Sequence, residues 1–528
     1  MLVPAIEMAG RAHRTGRWLG LAVMLAGLAQ VDLAGAQSRP GAPRTPRKPP
    51  HGHHGKGAPA GQNAPPPGSA PVDARALPAP TLVLDRTTLD NGLRVVLAPV
   101  PRASVVAVAM LYDAGARYDE RGGAGLASLV RHAMSQGSAN VLRGEHERHL
   151  ASRGGQGWSE VTSERAVFVD VVPAAELPLA LWLEADRLKS LQIPADGVAA
   201  LRQELGLDQL RRAADPRAAG RARLREQVFQ SLWAYEHDPL GGAEASALRA
   251  DAVQAFHDAR YTASNAVLVV AGDLDTEPAG QLVRRFFETA RRQERPAALT
   301  AALPEQSSQR RAVVDAPTLT APTLLYGWST PADRTDDAAA AEAALYVLAR
   351  LRLPQKLQRE APLAARIRLE HERQRVAGLA RLEIDLLDAA GRTPVERAVN
   401  AELEALAQKG PSEAELVHFR EDTAARAWHR LRSPDELALA LGDAELLHGD
   451  ARLLGEDVSL ATALDRDKVR AAAARYLSET RRSFVELRSP TMVPSPASPP
   501  PPVAAPPAHG HGHKPPHSKP ARPARPKH

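Results

Sequence analysis

The spacing of apolar residues predicts a folded body whose elements occur twice along the chain. In its first half, alternating or β-branched runs typical of strands occupy residues 86–97, 104–112, 166–172 and 266–273. Apolar residues at helical spacing predict helices that begin at Gly125 and that cover 177–190, 198–213 and about 276–292. Asn91-Gly92 interrupts the first run and is a strong hairpin-turn signal. The first half therefore mixes strands with helices.

Residues 294–310 carry Pro, Ala and Ser and predict a linker, after which the pattern restarts. The second half predicts strands near 311–315, 323–328 and 376–386, and helices over 335–352, 393–408, 412–431 and 465–477. Strands mixed with helices, twice over, predict an α+β fold. We expect two similar lobes, each a mainly antiparallel sheet packed with helices, joined by a linker.

Both ends of the chain differ in composition from this body. Arg11, Arg14 and Arg17, an apolar run over 18–28 and small residues at 34–36 are typical of a secretory signal peptide. Pro-rich stretches with His then flank the body and predict disordered segments. The domain prediction is a signal peptide 1–36, a linker 37–81, an N-terminal lobe 82–295, an interlobe linker 296–310, a C-terminal lobe 311–489 and a tail 490–528. We expect an exported chain, periplasmic or extracellular in a bacterium.

The amino-acid composition excludes several classes of function but does not identify one. Of the 528 residues, 44% are hydrophobic and 24% are charged, as in an ordinary globular protein. The net charge of +6 is spread along the chain without a basic stripe interleaved with aromatic residues, which argues against nucleic-acid binding. The absence of Cys excludes disulfides and a lipid-anchoring cysteine. No run in the body is long and apolar enough to cross a membrane, so we expect no span in the mature chain.

Residues 125–134 look like the active-site helix of a zinc peptidase whose chemistry has been replaced. An inverted zinc motif has the form H-x-x-E-H, in which two His one helical turn apart bind the metal and the Glu activates water. The three corresponding positions here are Ser128, Arg131 and His132. One ligand remains, and a fixed positive charge stands in place of the base.

Several segments, in this order, resemble the pitrilysin/insulinase family of zinc peptidases: LDNGLRVVL, GAGLASLVRHAMSQGSAN, GGQGWSEVTSERAVFVDVVP, LALWLEADRL and YTASNAVLVVAGDLD. The resemblance covers about residues 82–490 and is to bacterial members with one pair of lobes per chain, related to subunits of mitochondrial processing peptidase. It implies two facing α+β lobes and two chains assembled around a substrate chamber. It also implies that peptide binds as an added strand on a sheet edge.

The resemblance assigns the family's zinc positions to residues of this chain. The two zinc His correspond to Ser128 and His132, and the catalytic Glu corresponds to Arg131. The third ligand, a Glu, corresponds to Gln209, or to Asp208 with a one-residue slip. Catalytic zinc needs three protein ligands and one open position, and Arg can neither bind a metal nor accept a proton. We therefore predict no catalytic residue and no cofactor at this site, with zinc only if other ligands have been recruited.

The family's substrate-gripping positions are altered as well. The Asn that holds the substrate backbone corresponds to Trp158. The Arg and the Tyr that grip the substrate carbonyl from the second lobe correspond to Lys356 and Ala365. Trp158 and Lys356 are therefore weak candidates for peptide binding.

Other groups of ligand-type residues have plainer interpretations. Residues 145–149 (EHERH) are predicted to form a solvated helical face, Glu204 a surface carboxylate, and Glu164-Arg165 a structural ion pair. Two clusters in the flanking stretches are either solubilising or able to bind Zn, Ni or Cu weakly. These clusters are His51, His53, His54 and His509, His511, His513.

Together these features predict the non-catalytic subunit of a heteromeric metallopeptidase, which helps to form the chamber and to bind extended peptide. Its partner is expected to be an active zinc-peptidase homologue or a second copy of this chain. Two alternatives stay open at this point. One is a divergent active zinc metalloendopeptidase, and the other is a stand-alone binding or scaffold protein.

Overall fold

The computed structural model describes residue 80, residues 82–191, residue 193 and residues 197–489. The predicted signal peptide and the two His clusters of the flanking stretches lie outside the described residues. Among the helices that the structure describes, none combines the length and the apolar character needed to cross a bilayer.

The first lobe is built on a six-stranded sheet. Its strands are β1 (Asp85–Thr88), β2 (Arg94–Pro99), β3 (Val105–Tyr112), β4 (Gln156–Val161), β5 (Ala166–Pro173) and β6 (Ala266–Gly272). They lie in the order β1-β2-β6-β3-β5-β4, and every pair is antiparallel except β2 with β6. The helices of this half are α1 (Leu126–Met134), α2 (Glu145–Ser152), α3 (Leu177–Ser190), α4 (Val198–Ala213), α5 (Ala218–Val228), α6 (Trp233–Glu236), α7 (Ala250–Arg260) and α8 (Thr276–Phe287).

The second lobe repeats the plan with five strands. They are β7 (Arg310–Asp315), β8 (Thr323–Thr330), β9 (Ala364–Glu372), β10 (Gly378–Leu386) and β11 (Ser483–Arg488). The order is β7-β11-β8-β10-β9, antiparallel except for β7 with β11. The helices are α9 (Asp336–Tyr346), α10 (Arg392–Lys409), α11 (Glu413–Arg430), α12 (Pro434–His448), α13 (Glu456–Thr462) and α14 (Arg466–Tyr476). Helical turns continue beyond α9 to Glu360.

The predicted α+β fold of two similar lobes, each with a mainly antiparallel sheet, is confirmed. The hairpin predicted at Asn91-Gly92 joins β1 to β2, and Gly92 adopts a φ of +92° that side chains disfavour. The helix predicted over 276–292 ends earlier, at Phe287. The prediction omits the strands β4, β9 and β11 and the helices α5, α6, α7, α12 and α13. For β4 the reason is that an edge strand with polar, exposed residues lacks the apolar alternation of a buried strand.

Each sheet is covered on one face by helices of its own half and on the other face by a helix from the opposite half. On the first sheet, Leu437 and Leu441 of α12 lie in one buried cluster with Leu111. On the second sheet, Leu224 of α5 lies in a buried cluster with Val485. The two lobes therefore exchange a covering helix.

Glycines set the distance of both exchanged helices from their sheets. A Cβ on Gly442 of α12 would lie 2.3 Å from a methyl carbon of Leu111. A Cβ on Gly220 of α5 would lie 2.7 Å from a methyl carbon of Leu487. Contacts this short do not occur between real atoms, so a side chain at either position would require the leucine that faces it to shift.

Candidate functional site

α1 carries the altered zinc motif and is fixed firmly at its N-terminus. Gly125 precedes the helix with a φ of +93°, and a Cβ there would lie 3.0 Å from the carbonyl oxygen of Leu240. The buried carboxylate of Asp119 accepts hydrogen bonds from the backbone N–H groups of Gly125 at 2.8 Å and Ala127 at 2.9 Å. An acid at this end satisfies free N–H groups and suits the helix dipole.

The first ligand position and the base position are both engaged in other interactions. The fully buried Ser128 donates its hydroxyl proton to the carbonyl oxygen of Pro239 at 2.7 Å. The guanidinium of Arg131 donates from Nη2 to Asp208 at 3.0 Å and from Nη1 to the hydroxyl of Ser159 on β4 at 3.1 Å. Arg131 therefore bridges α4 and β4 across the place where the family's catalytic Glu would lie.

His132 is the remaining ligand, and its ring is surrounded by charge. Its Nε2 lies 2.8 Å from Nη2 of Arg131 and 3.0 Å from the carboxylate of Asp208, and its Nδ1 lies 3.4 Å from Glu204. Burial, followed by the charge of Arg131, lowers the pKa of His132 to about 4. The ring is therefore neutral at pH 7. The Nε2 atom that would bind a metal lies between a guanidinium that can only donate and a carboxylate that can only accept, so both neighbours occupy the space a metal would need.

These residues do not fit the zinc that the family's motif implies. A catalytic zinc ion needs three protein ligands and an open position. Here one ligand position is a hydrogen-bonded Ser128, and a permanent cation, Arg131, lies against the His132 ring. No reaction step can be assigned to a metal at this place.

The structure corrects the predicted third position. Gln209 turns away from His132 and donates to the carbonyl oxygens of Leu240 at 2.8 Å and Gly242 at 3.2 Å. The acid beside His132 is Asp208, one residue earlier on α4, with Glu204 one turn before it. Neighbouring residues on a helix point about 100° apart, so a one-residue error in sequence spacing selects the wrong face. The i, i+4 spacing of the two acids was the signal that could have identified them.

Trp158 lies on β4, which is the outer strand of the first sheet. Its side chain is 39% exposed and lines a cavity of about 70 Å³ beneath the strand. Most residues of Gln156–Val161 are exposed, and one long side of the strand has no neighbouring strand among the described residues. Such an edge offers unpaired backbone groups to an incoming chain.

Lys356 and Ala365 lie in the second lobe. Lys356 is exposed, and its ammonium pairs with Glu360 one helical turn further on, at 3.0 Å. Ala365 is on β9, the outer strand of the second sheet. The structure thus gives Lys356 a partner on its own helix, away from Arg131 and His132 of the altered zinc motif.

Glu164 and Arg165 are structural, as predicted, but they bind other residues rather than each other. Glu164 pairs with Arg117 at 2.6 Å and with Arg375 of the second lobe at 2.7 Å. Although burial opposes ionisation, Arg375 and Arg117 lower the pKa of Glu164. Arg165 pairs with Asp443 of α12. Both residues therefore tie the lobes together, a role that sequence reasoning missed because Arg375 lies in a turn without a recognisable motif.

A cavity of about 610 Å³ lies between the lobes, beside the C-terminal end of β4. Its lining mixes basic and acidic side chains, among them Arg221, Arg225, Glu372 and Asp443. A lining of both signs, with few large apolar groups, suits a polar chain better than an apolar small molecule.

Two family models match this chain. The model described as insulinase (peptidase family M16) matches residues 94–208, and the model described as peptidase M16 inactive domain matches residues 247–421. The match therefore covers the altered zinc motif and, in the second lobe, α9, α10 and the first half of α11.

The curated relatives are described as proteases or as a protease subunit. The zinc protease PqqE of Helicobacter pylori is 25% identical over 266 residues, 49% of this chain and 59% of that protein. The uncharacterized zinc protease Rv2782c of Mycobacterium tuberculosis is 28% identical over 222 residues, 41% of this chain and 50% of that protein. The mitochondrial-processing peptidase subunit beta of Lentinula edodes is 23% identical over 226 residues, 40% of this chain and 46% of that protein. The chain spans about half the length of the curated relatives it matches.

Solved structures share the fold. A protease from Helicobacter pylori aligns with a TM-score of 0.71 and 22% identity, over 77% of this chain and 99% of that chain. The periplasmic protease PqqL from Escherichia coli aligns with a TM-score of 0.66 and 14% identity, over 79% of this chain and 50% of that chain. The fold and the altered motif on α1 define a two-lobed protein of the metallopeptidase type. The chain belongs to the pitrilysin/insulinase (M16) peptidase family.

Proposed function

We propose that this chain is a non-catalytic member of its family that pairs with a zinc-bearing homologue and helps to bind extended peptide. The position of Arg131 carries the proposal. Its guanidinium donates to Asp208 and lies 2.8 Å from Nε2 of His132, so it engages the groups that a metal would use. A dication at that distance from a guanidinium would also be repelled by several kcal/mol at intermediate dielectric.

The partner in this proposal is an active homologue or, failing that, a second copy of this chain. One relative is itself named as a subunit of a processing peptidase, and the others are named zinc proteases. A chain without the zinc motif contributes to such an assembly through its surfaces, because it supplies no metal of its own at α1.

The peptide-binding part of the proposal rests on β4. An extended peptide added to this edge would pair with exposed backbone groups along Gln156–Val161, while Trp158 would contact its side chains. The interlobe cavity begins at Glu160 and Val161, where such a peptide would leave the strand. Lys356 pairs with Glu360 on its own helix, and a contact of Lys356 with peptide stays a prediction.

We also propose that the chain is exported. Residues 1–36 have the composition of a signal peptide, and one structural neighbour is described as periplasmic. Residues 82–295 and 311–489 would then form the two lobes of the exported protein, each completed by a helix from the other.

A mixing experiment tests the partner role. The full chain is combined with an H-x-x-E-H homologue from the same genome, and hydrolysis of an unfolded protein is followed. We expect the rate of the mixture to exceed the summed rates of the separate proteins by at least about tenfold, since chamber residues from both chains position the substrate. An Arg131→Lys variant, which keeps the charge, should activate equally. A mixture no faster than the homologue alone would favour a stand-alone binding protein.

Restoring the motif tests the geometry of α1. With the tail histidines replaced by Gln, the double variant Ser128→His, Arg131→Glu should bind one zinc ion per chain more than the same chain without these two changes, with Asp208 as the third ligand. Adding Gln209→Glu should change the affinity for this additional zinc little, because that side chain faces Leu240. Zinc content by elemental analysis, compared between the parent, the double variant and the triple variant, checks this. If only the triple variant holds the additional zinc, Gln209 and not Asp208 is the third position.

One observation supports a second candidate, a divergent metallopeptidase. Two acids, Glu204 and Asp208, lie within 3.4 Å of the His132 ring nitrogens. For these to hold a catalytic metal, Arg131 would have to move away. Hydrolysis by the isolated chain that a chelator abolishes and zinc restores, and that His132→Gln removes, would establish this candidate in place of the first.

A further inference from the structure

The described residues contain one group of three metal-ligand side chains whose ligand atoms all lie within 4.8 Å of one another, and it is not at α1. The group is His146 on α2, Asp170 on β5 and Glu184 on α3. The sequence interpretation of residues 145–149 as a solvated helical face is wrong for His146. That ring turns inward and donates from Nε2 to Asp170 at 2.9 Å.

The two acids of this group are almost completely buried. Asp170 is 2% exposed and Glu184 is not exposed at all. One oxygen of Glu184 accepts a hydrogen bond from Arg187 at 2.8 Å. The other oxygen, Oε2, is buried and has no hydrogen-bond partner among the residues that the structure describes. A buried carboxylate oxygen without a donor is costly and needs a proton or a cation.

Arg187 compensates only part of the negative charge. It donates to Glu184, lies 3.0 Å from Nδ1 of His146 and stacks over the Phe168 ring at 4.5 Å. The group therefore contains two carboxylates and one fixed cation.

The group also has room and access on the β4 side. Gly157 lies directly against it, and a Cβ there would be 2.6 Å from Oδ1 of Asp170. The cavity of about 70 Å³ beneath Trp158 is lined by both His146 and Asp170. A space of that size holds one or two water molecules, which suffices for the open position of a bound ion.

We propose that His146, Asp170 and Glu184 form a binding site for a zinc-type divalent cation, separate from the altered motif on α1. One imidazole and two carboxylates are a ligand set that Zn²⁺ accepts. Ligands at about 2.0–2.1 Å from zinc lie roughly 3.3 Å apart, and the ligand atoms of this group all lie within 4.8 Å of one another. The ion would join α2, α3 and β5 behind the β4 edge. Because Nη2 of Arg187 lies 3.2 Å from Nε2 of His146, that guanidinium would have to move away from the ring while keeping its contact with Glu184. The site does not depend on the proposed partner role.

The test uses the full chain with its tail histidines replaced by Gln, so that the tails hold no metal. After incubation with Zn²⁺ and desalting, we expect about one zinc per chain and a raised melting temperature. Asp170→Asn and Glu184→Gln should each weaken zinc binding by at least about tenfold, as loss of a ligand does. His132→Gln, at α1, and His149→Gln, exposed on α2, should leave zinc binding unchanged.

Two results would overturn the proposal. The first is a parent chain that retains no zinc, which would mean that Asp170 and Glu184 share a proton instead. The second is zinc binding that survives Asp170→Asn or falls with His132→Gln. If Glu184→Gln does not fold, His146→Gln on the partly exposed face of α2 makes the same comparison. Circular dichroism of each variant establishes that it is folded before metal is measured.

Discussion

Each of the two exchanged helices covers a sheet of the opposite half, but they contact it through different side chains. α12 meets the first sheet through apolar contacts, with Leu437, Ala438 and Leu441 fully buried against its strands, and through acids of its own, since Glu445 pairs with Arg86 and Asp443 with Arg165. α5 meets the second sheet through both apolar and charged contacts. Arg221 donates to both oxygens of Glu383 at 2.6 and 2.9 Å, and Arg217, just before the helix, donates to both oxygens of Asp385 at 2.9 and 3.0 Å.

Changes in packing, in pH and in charged partners should therefore affect the individual contacts of these interfaces differently. Apolar burial depends little on salt or pH, so the leucine contacts of α12 should respond mainly to changes in packing. Buried ion pairs depend on both partners being charged and present, so the α5 interface should respond to acid and to loss of one partner. Both exchanged helices line the interlobe cavity, α5 with Arg221 and Arg225 and α12 with Asp443. Charged groups of both interfaces are therefore adjacent to the proposed function.

The largest effect is expected from Leu441→Ala on α12. Leu441 is fully buried, and its truncation should lower the free energy of unfolding by about 2–5 kcal/mol through lost burial and a residual cavity. Urea unfolding followed by circular dichroism measures this. The control is Leu210→Ala on α4, where the side chain is 69% exposed and the loss should be below about 0.5 kcal/mol. Equal midpoints for the two variants would show that α12 is not packed as described.

A smaller effect is expected from Arg221→Met on α5. The substitution removes both hydrogen bonds that Arg221 donates to the buried Glu383. We expect the free energy of unfolding to fall by about 1–3 kcal/mol, less than for a fully buried pair because Arg221 is partly exposed. The double variant Arg221→Met, Glu383→Leu should regain part of that loss, since the buried carboxylate is removed, although Asp215 and Arg381 each lose a charged neighbour. A double variant as unstable as the single one would mean that packing, not charge, holds α5.

The smallest effect is expected on the stability of an Asp385→Asn variant at low pH. Burial opposes ionisation of Asp385, but hydrogen bonds from Arg217 and Thr323 lower its pKa. A carboxyl with a lowered pKa stabilises the fold above its unfolded value, about 3.9, and that contribution is lost as the pH falls through the folded value. Asp385→Asn should therefore flatten the fall in stability below about pH 4. Exposed Asp273→Asn should leave the slope as in the parent. Identical pH profiles for all three proteins would contradict the charged character of the α5 interface.

The fold was largely predictable because most of its elements carry local signals. The strands β3, β5 and β6 are β-branched runs, and α3 and α4 have apolar residues at helical spacing. The exchange of α5 and α12 was not predictable, because apolar periodicity shows that a helix has a buried face but not which sheet covers it. β4 escaped prediction for the related reason that an edge strand is polar where it faces solvent.

The candidate site was predictable only in part. The replacement of the motif at Ser128 and Arg131 is evident from sequence, whereas the contacts that result from it are not. Counting along the sequence placed the third ligand position at Gln209. In the structure Asp208 lies on the face of α4 that meets His132, because successive side chains on a helix point about 100° apart. His146 was assigned to solvent because its partner, Asp170, lies 24 residues away on another element. Long-range pairs of this kind have no local signature.

The exchange of helices also sets an order of events during synthesis. The first sheet has all its strands once Gly272 has been made, yet the helix that covers its second face begins only at Pro434. Until then Val96, Ala109 and Val269 face outward as a bare apolar surface. A chain in that state is prone to aggregation and invites chaperone binding. The first half thus depends on the second to cover its apolar surface. Although the two halves resemble repeats, they must fold together.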